Sequence, residues 1–155
     1  MEEKYFSEAL NEILNAIQIK LESAIQDGEL LQDVKTIVRG DRTTAKPVTP
    51  AIWIFSGVAV PMPGSYHTIV ERWELDIQLI SVVYNTNTEE GYKEANDVIA
   101  RAKRILLADR TLGFGHGTFF QDIRSKEFDC SNPAFVKGNF YSAIYTVVVT
   151  FCIRE

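Results

Sequence analysis

Residues 71–80, Glu71-Arg-Trp-Glu-Leu-Asp-Ile-Gln-Leu-Ile80, alternate apolar and polar side chains almost without a break. Trp73, Leu75, Ile77 and Leu79 take one parity, and Arg72, Glu74, Asp76 and Gln78 take the other. A strand has a side-chain period of two, so each set lies on its own face. One face meets a core and the other meets water, the pattern of an antiparallel sheet with a wet side. The signal extends over His67–Tyr84, with Ile69 and Val83 joining the apolar face. It blurs at Ile80–Val83, which predicts burial on both faces there.

Upstream, Ala51–Val60 reads as a strand with Trp53 and Phe55 opposite Ile52 and Ile54, ended by Pro61, Pro63 and Gly64. Asp41–Pro50 is rich in Thr and Pro and reads as a loop, and Leu31–Val38 reads as a first strand closed by Gly40. Before it, Phe6, Leu10, Ile13, Leu14, Ile17, Leu21, Ala24 and Ile25 form one helical stripe that stops at Gly28. Downstream, Asn87-Thr-Glu-Glu90 is a capping pattern that opens a second helix to about Ala108. Its stripe is Tyr92, Ala95, Ile99, Ala102 and Leu106. Glycines 113, 115 and 117 mark a loop, and Phe119–Phe128 and Phe140–Ile153 read as two further strands.

The order α-β-β-β-α-β-β predicts an α+β domain. Its mostly antiparallel sheet has four to five strands packed by two amphipathic helices. The whole chain, 1–155, reads as a single domain with mobile loops at 40–50, 61–67 and 111–118. A compact domain of this size is only about 40 Å across. A straight strand over Ile69–Tyr84 would span about 50 Å, so the long strands bend, bulge or project, and a projecting hairpin leaves edges that need a partner. Met62, Tyr66, Leu112, Phe114 and Phe135 are apolar residues on loops, fit for a subunit interface. The alternative is that they fold back as caps on the core. On the interface reading, a charge at Phe114 or Met62 spares the monomer and impairs assembly. On the cap reading it costs monomer stability.

The chain has 155 residues, 46% hydrophobic and 24% charged, which excludes a disordered or low-complexity chain. Its net charge of −5 argues against broad, non-specific nucleic-acid binding. Arg39, Arg42 and Lys46 sit near one another in the expected loop, weighed as a phosphate site against plain solvated surface. Cys130 and Cys152 have no metal-ligand spacing, and a bond between them is neither required nor excluded. Met1 is followed by Glu2 and Glu3 rather than a basic and apolar leader, which predicts a cytoplasmic product.

Chemistry leaves few traces. Glu89–Glu94 carries carboxylates that a first helical turn favours on dipole grounds alone. Glu74 and Asp76, with Glu71 nearby, could form a general-acid pair, but a solvated sheet face accounts for them equally. His67 and His116 lack partners at zinc-ligand spacing. Gly113-Phe-Gly-His-Gly117 lacks the Lys-Ser/Thr ending of a phosphate loop and follows a helix, so it reads as a turn. No catalytic residue, cofactor or metal is expected, and the pattern points to a structural or binding role.

The chain resembles the tail-terminator, or tail-completion, proteins of long-tailed bacteriophages and prophages. The resemblance is carried by the first helix ending at Gly28, the Asp41–Pro50 loop leading into Pro50-Ala-Ile-Trp-Ile-Phe55, the 71–80 strand, the Glu90–Ala108 helix and the closing Tyr145–Ile153 strand. It implies a virion subunit, made in the host cytoplasm, that forms a hexameric ring on the head-proximal end of the tail tube. The ring ends polymerisation and forms the joint to the capsid connector. The implied partners are further copies of the chain, the tail-tube protein and the connector, with genomic DNA passing through without specific binding. A homo-hexamer is implied once assembled, with a monomer in solution as the alternative. Met62, Tyr66, Leu112, Phe114, Phe135, Arg39 and Arg42 are the expected interface positions. The alternatives are another neck, tail-tube or baseplate component, and a small-molecule-binding or enzymatic α+β domain.

Overall fold

The computed structural model describes residues 4–26, 28–40, 48–62, 70–131 and 138–154. Its elements are α1 (Phe6–Ser23), β1 (Thr36–Arg39), β2 (Ala51–Pro61), β3 (Glu71–Tyr84), α2 (Thr88–Leu107), β4 (Phe120–Asp129) and β5 (Phe140–Ile153). This is the expected order and the expected α+β class. The five strands form one mixed sheet, β1-β2-β3-β5-β4, in which only the β1–β2 pair is parallel.

The centre of the sheet is the pairing of β3 with β5. Every residue from Glu71 to Tyr84 has a partner, running from Glu71↔Ile153 to Tyr84↔Phe140. The two longest strands are therefore interior strands. The edges fall to β1 and β4, and to the part of β2 that β1 does not reach. Of the alternatives of bending, bulging or projecting, projection with open edges does not apply to this pair, because each strand covers the other along its whole length. A 14-residue strand is about 46 Å long. Helices of 18 and 20 residues span only about 27 and 30 Å. The helices divide that length between them. Phe6 of α1 meets Trp73 and Phe151 at 5.1 and 5.7 Å, near one end of the central pair. Tyr92 of α2 meets Tyr141 at 5.3 Å, near the other end.

The α1 stripe is buried as its spacing requires, with Ile13, Ile17 and Leu21 fully covered. The Glu8 carboxylate accepts from the Tyr5 N–H at 3.2 Å and satisfies one donor at the helix start. At the start of α2, Asn87 Oδ1 accepts from the Glu90 N–H at 3.1 Å, the cap expected from the sequence.

A strand expected over Leu31–Val38 is instead a turn followed by the four residues of β1. Leu31 and Val34 are both buried in the core. Three residues apart, they would point to opposite faces of a strand, whereas a turn aims both inward. Arg101 of α2 fixes that turn. Its guanidinium donates to both Asp33 carboxylate oxygens at 2.6 and 3.0 Å and to the Leu30 carbonyl at 2.7 Å. Arg101 Nε lies 3.0 Å from Asp97 but off the line of a hydrogen bond, so that contact is an ion pair alone. The Arg101 fork holds the Asp33 carboxyl below its ordinary range.

On the helix side, Leu75, Ile77, Leu79 and Val83 of β3 join Ile52 and Ile54 of β2 and the odd-numbered residues Ala143–Ile153 of β5. A second, smaller cluster sits on the opposite face, where Ala51, Trp53, Ile80 and Val82 are ringed by Val38, Phe55, Phe140 and Ile144. That cluster accounts for the double-sided burial predicted at Ile80–Val83. Ser81 is the polar exception in this run. Its hydroxyl donates to the Ala95 carbonyl of α2 at 2.8 Å and accepts from the Ala143 N–H at 3.0 Å, which ties helix to sheet.

Gly91 sets how close α2 can come. A Cβ at this position would lie 2.2 Å from the Tyr141 ring. We predict that Gly91→Ala lowers stability by about 1–3 kcal/mol through overpacking, despite the better helix propensity of alanine. Denaturant unfolding of Gly91→Ala, alone and combined with Tyr141→Ala, checks this, because the double change should recover part of the loss.

Candidate interaction surfaces

Leu112 and Phe114 illustrate how a loop can look like an interface and belong to the core. Leu112 is only 6% exposed and takes φ of +49°, a left-handed conformation that turns its side chain under the loop. Phe114 is half-buried, stacked on Phe120 at 5.1 Å and edge-on to Phe119 at 5.0 Å. Both pack into the main core, so in the single chain they act as caps, the alternative set beside the interface reading. The segment 111–118 is a series of turns closed by these packed side chains. It frames a surface depression of about 340 Å³ bordered by Thr111, His116, Thr118 and Gln121. Thr118 Oγ1 donates to the Gly115 carbonyl at 3.2 Å.

Arg39 ends β1 and donates through Nε to Gln18 at 3.1 Å, which engages it with α1. Met62 follows β2, is half-buried, and its N–H donates to the Arg72 carbonyl at 2.8 Å. Arg42, Tyr66 and Phe135 lie outside the described residues, as do Lys46 and His67. Both cysteines are free thiols, Cys130 exposed and Cys152 buried.

The carboxylates on the polar face of β3 are paired. Arg124 of β4 donates to Glu74 at 3.1 Å, and Lys126 donates to Asp76 at 2.6 Å. β4 and β3 are not neighbours, since β5 runs between them. The two cations must therefore cross about 10 Å of sheet, two strand spacings, to reach their partners. They do so over Thr146, Val148 and Thr150, which are each under 10% exposed as a result. Small side chains on β5 make the crossing possible. Glu71 accepts from the Trp73 indole at 3.1 Å instead. Among the described residues no three His, Cys, Asp or Glu side chains converge as a metal site would.

A second polar node joins the helices. Lys20 of α1 pairs with Asp109 just past α2 at 3.0 Å, while Thr111 donates to the same carboxylate through its hydroxyl at 2.7 Å and its N–H at 3.1 Å. These bonds, the Thr111 hydroxyl first and Lys20 next, hold the Asp109 carboxyl far below its ordinary range.

The most exposed apolar residues of any strand are on β2. Val58 and Val60 are 69% and 53% exposed. They flank Ala59, where an extra residue between Ser56 and Ala59 bulges the strand against β3. The surrounding sequence is unusual as well. From Pro47 to Val70 it holds no Asp, Glu, Lys or Arg, although such residues make up 24% of the chain. A count of charge along the sequence marks this stretch, which also holds Met62 and Tyr66, whereas apolar character on loops equally marks Leu112 and Phe114, which pack into the core. Compared with known families and curated proteins, the chain matches no family model and no curated sequence.

Two outcomes are expected. Phe114→Asp should lower monomer stability by about 1–3 kcal/mol in denaturant unfolding, as a core cap would. Asp109→Asn should be less stable than the native chain at neutral pH. A depressed folded-state pKa contributes stability above the unfolded value near 3.8 that is lost as pH falls, so the gap between the two chains should close below about pH 4. Melting curves across pH 2–7 test this.

Proposed function

We propose that the chain is a structural subunit of a phage or prophage tail, assembling as a ring on the head-proximal end of the tail tube. There it ends tube polymerisation and forms the joint to the capsid connector. The observation that carries this reading is the uncharged β2 arm with Val58 and Val60 in water. Exposed apolar side chains on a segment that brings no charge of its own gain free energy when a protein surface covers them, with Glu74 of β3, directly opposite Val60, at the border of the patch. The fold supports the reading in the same sense, because it supplies two helices on one side of a sheet and leaves edge strands at its borders.

In this role the mechanism is contact geometry. Copies of the chain meet through sheet borders and loops, one ring face docks on the last layer of tail-tube protein, and the other accepts the connector. The net charge of −5 suits a passage for DNA, since like charge keeps phosphates from adhering.

The test is a length assay. Tail tubes polymerised with the purified chain should reach a narrow length distribution in electron micrographs, with a capping density at one end. Tubes that grow without limit in its presence would overturn the proposal. Val58→Lys should keep the melting temperature of the native chain and lose capping, because the residue is exposed in the monomer and would be covered in the ring.

A further inference from the structure

Among the described residues, the sheet has open backbone on two sides that run in opposite directions. β1 pairs with only Ala51–Ile54 of β2, and the last bond on that side is from the Gly40 N–H to the Ile54 carbonyl at 2.8 Å. Beyond it, among the described residues, the outer side of Phe55–Val60 has no strand beside it. At the other border, among the described residues, β4 pairs with β5 on its inner side alone, and Arg124–Glu127 are all exposed. β2, β3, β5 and β4 are antiparallel in succession, so β4 runs opposite to β2.

We infer that the outer side of β2 at Phe55–Val60 takes the β4 strand of a second copy, so that copies join head to tail through one continued antiparallel sheet. The directions require this geometry. When a second copy is placed beside the first with its helices on the same side, its β4 arrives antiparallel to β2 with no reversal of either molecule. β4 carries Asp122, Arg124, Lys126, Glu127 and Asp129, charges of both signs, and the β2 segment carries none, so the β2–β4 contact sets no like charges opposite each other. A β2–β2 pair would leave both β4 borders open, whereas the head-to-tail contact covers each border of every interior copy. Such a contact is heterologous, and repeating it closes a ring when the rotation per copy divides the circle. The inference deepens the ring reading and rests on it for its setting, but the contact is tested without tail tubes.

Proline substitution blocks one border at a time. Adjacent residues of a strand alternate in which side their N–H points to, so one of Val58→Pro and Ala59→Pro, and one of Arg124→Pro and Ser125→Pro, removes only an outward donor. From each pair the variant that keeps the native melting temperature is used. In sedimentation at the highest soluble concentration, the native chain should form species larger than a dimer. Each blocked variant alone should be monomeric. A mixture of the β2-blocked and β4-blocked variants should give dimers and nothing larger, because each retains the border that the other needs. A native chain that stays monomeric would overturn the inference, as would a β4-blocked variant that dimerises alone, which would assign the contact to β2–β2 pairing. A native chain that assembles in this way but leaves tube growth unlimited would uphold the contact and overturn the ring-capping role.

Discussion

The fold depends on one pairing, β3 with β5, in which 14 consecutive residues match from Glu71↔Ile153 to Tyr84↔Phe140. Its register decides which side chains meet the helices. Leu75, Ile77 and Leu79 share a face with Val149, Val147 and Tyr145, and a slip of one residue would turn one of these sets toward water. Everything else hangs on that frame. α2 is held to it by Ser81 and by the notch at Gly91, α1 covers its other end through Phe6, and β2 and β4 extend it on either side.

Much of this frame was legible in residue patterns because those patterns are local consequences of burial. Alternation over 71–80 specified a half-buried strand, and the stripes of α1 and α2 specified helices with one covered face. Asn87 and Glu90 marked a helix start that the structure realises with the expected bond. The error at Leu31–Val38 had a different origin. Four apolar residues spread among Gln32, Asp33, Lys35 and Thr36 show no clean period, and the deciding partner, Arg101, lies some 70 residues away in sequence. The paired carboxylates Glu74 and Asp76 were readable as a face, while their cations on β4 were not, because reaching across β5 is a property of the assembled sheet.

The surface was harder to read than the core. Leu112 and Phe114 were selected for being apolar on a loop, yet φ of +49° at Leu112 folds that loop over the core. Val58 and Val60 sit inside a strand, where apolar residues are taken to be buried, and the bulge beside them left no trace in alternation that a short strand could show. Apolar character alone does not separate a cap from an interface. A sequence window without charge, as over 47–70, adds a second criterion, but it describes the segment and not its spatial neighbours, since Val60 lies opposite Glu74 of β3.

The crossing of β3 with β5 also has a kinetic side. Ile77 meets Val147 and Tyr84 meets Phe140, contacts that join the middle of the chain to its end. High contact order of this kind slows folding, since the entropy of closing the intervening segment is lost before any pairing energy is gained. On a ribosome, β3 would emerge and pair with β2 while its other edge waited for β5 to be made. During that interval Leu75, Ile77 and Leu79 form an apolar face that α1, already made, and α2, the next element synthesised, are placed to shelter.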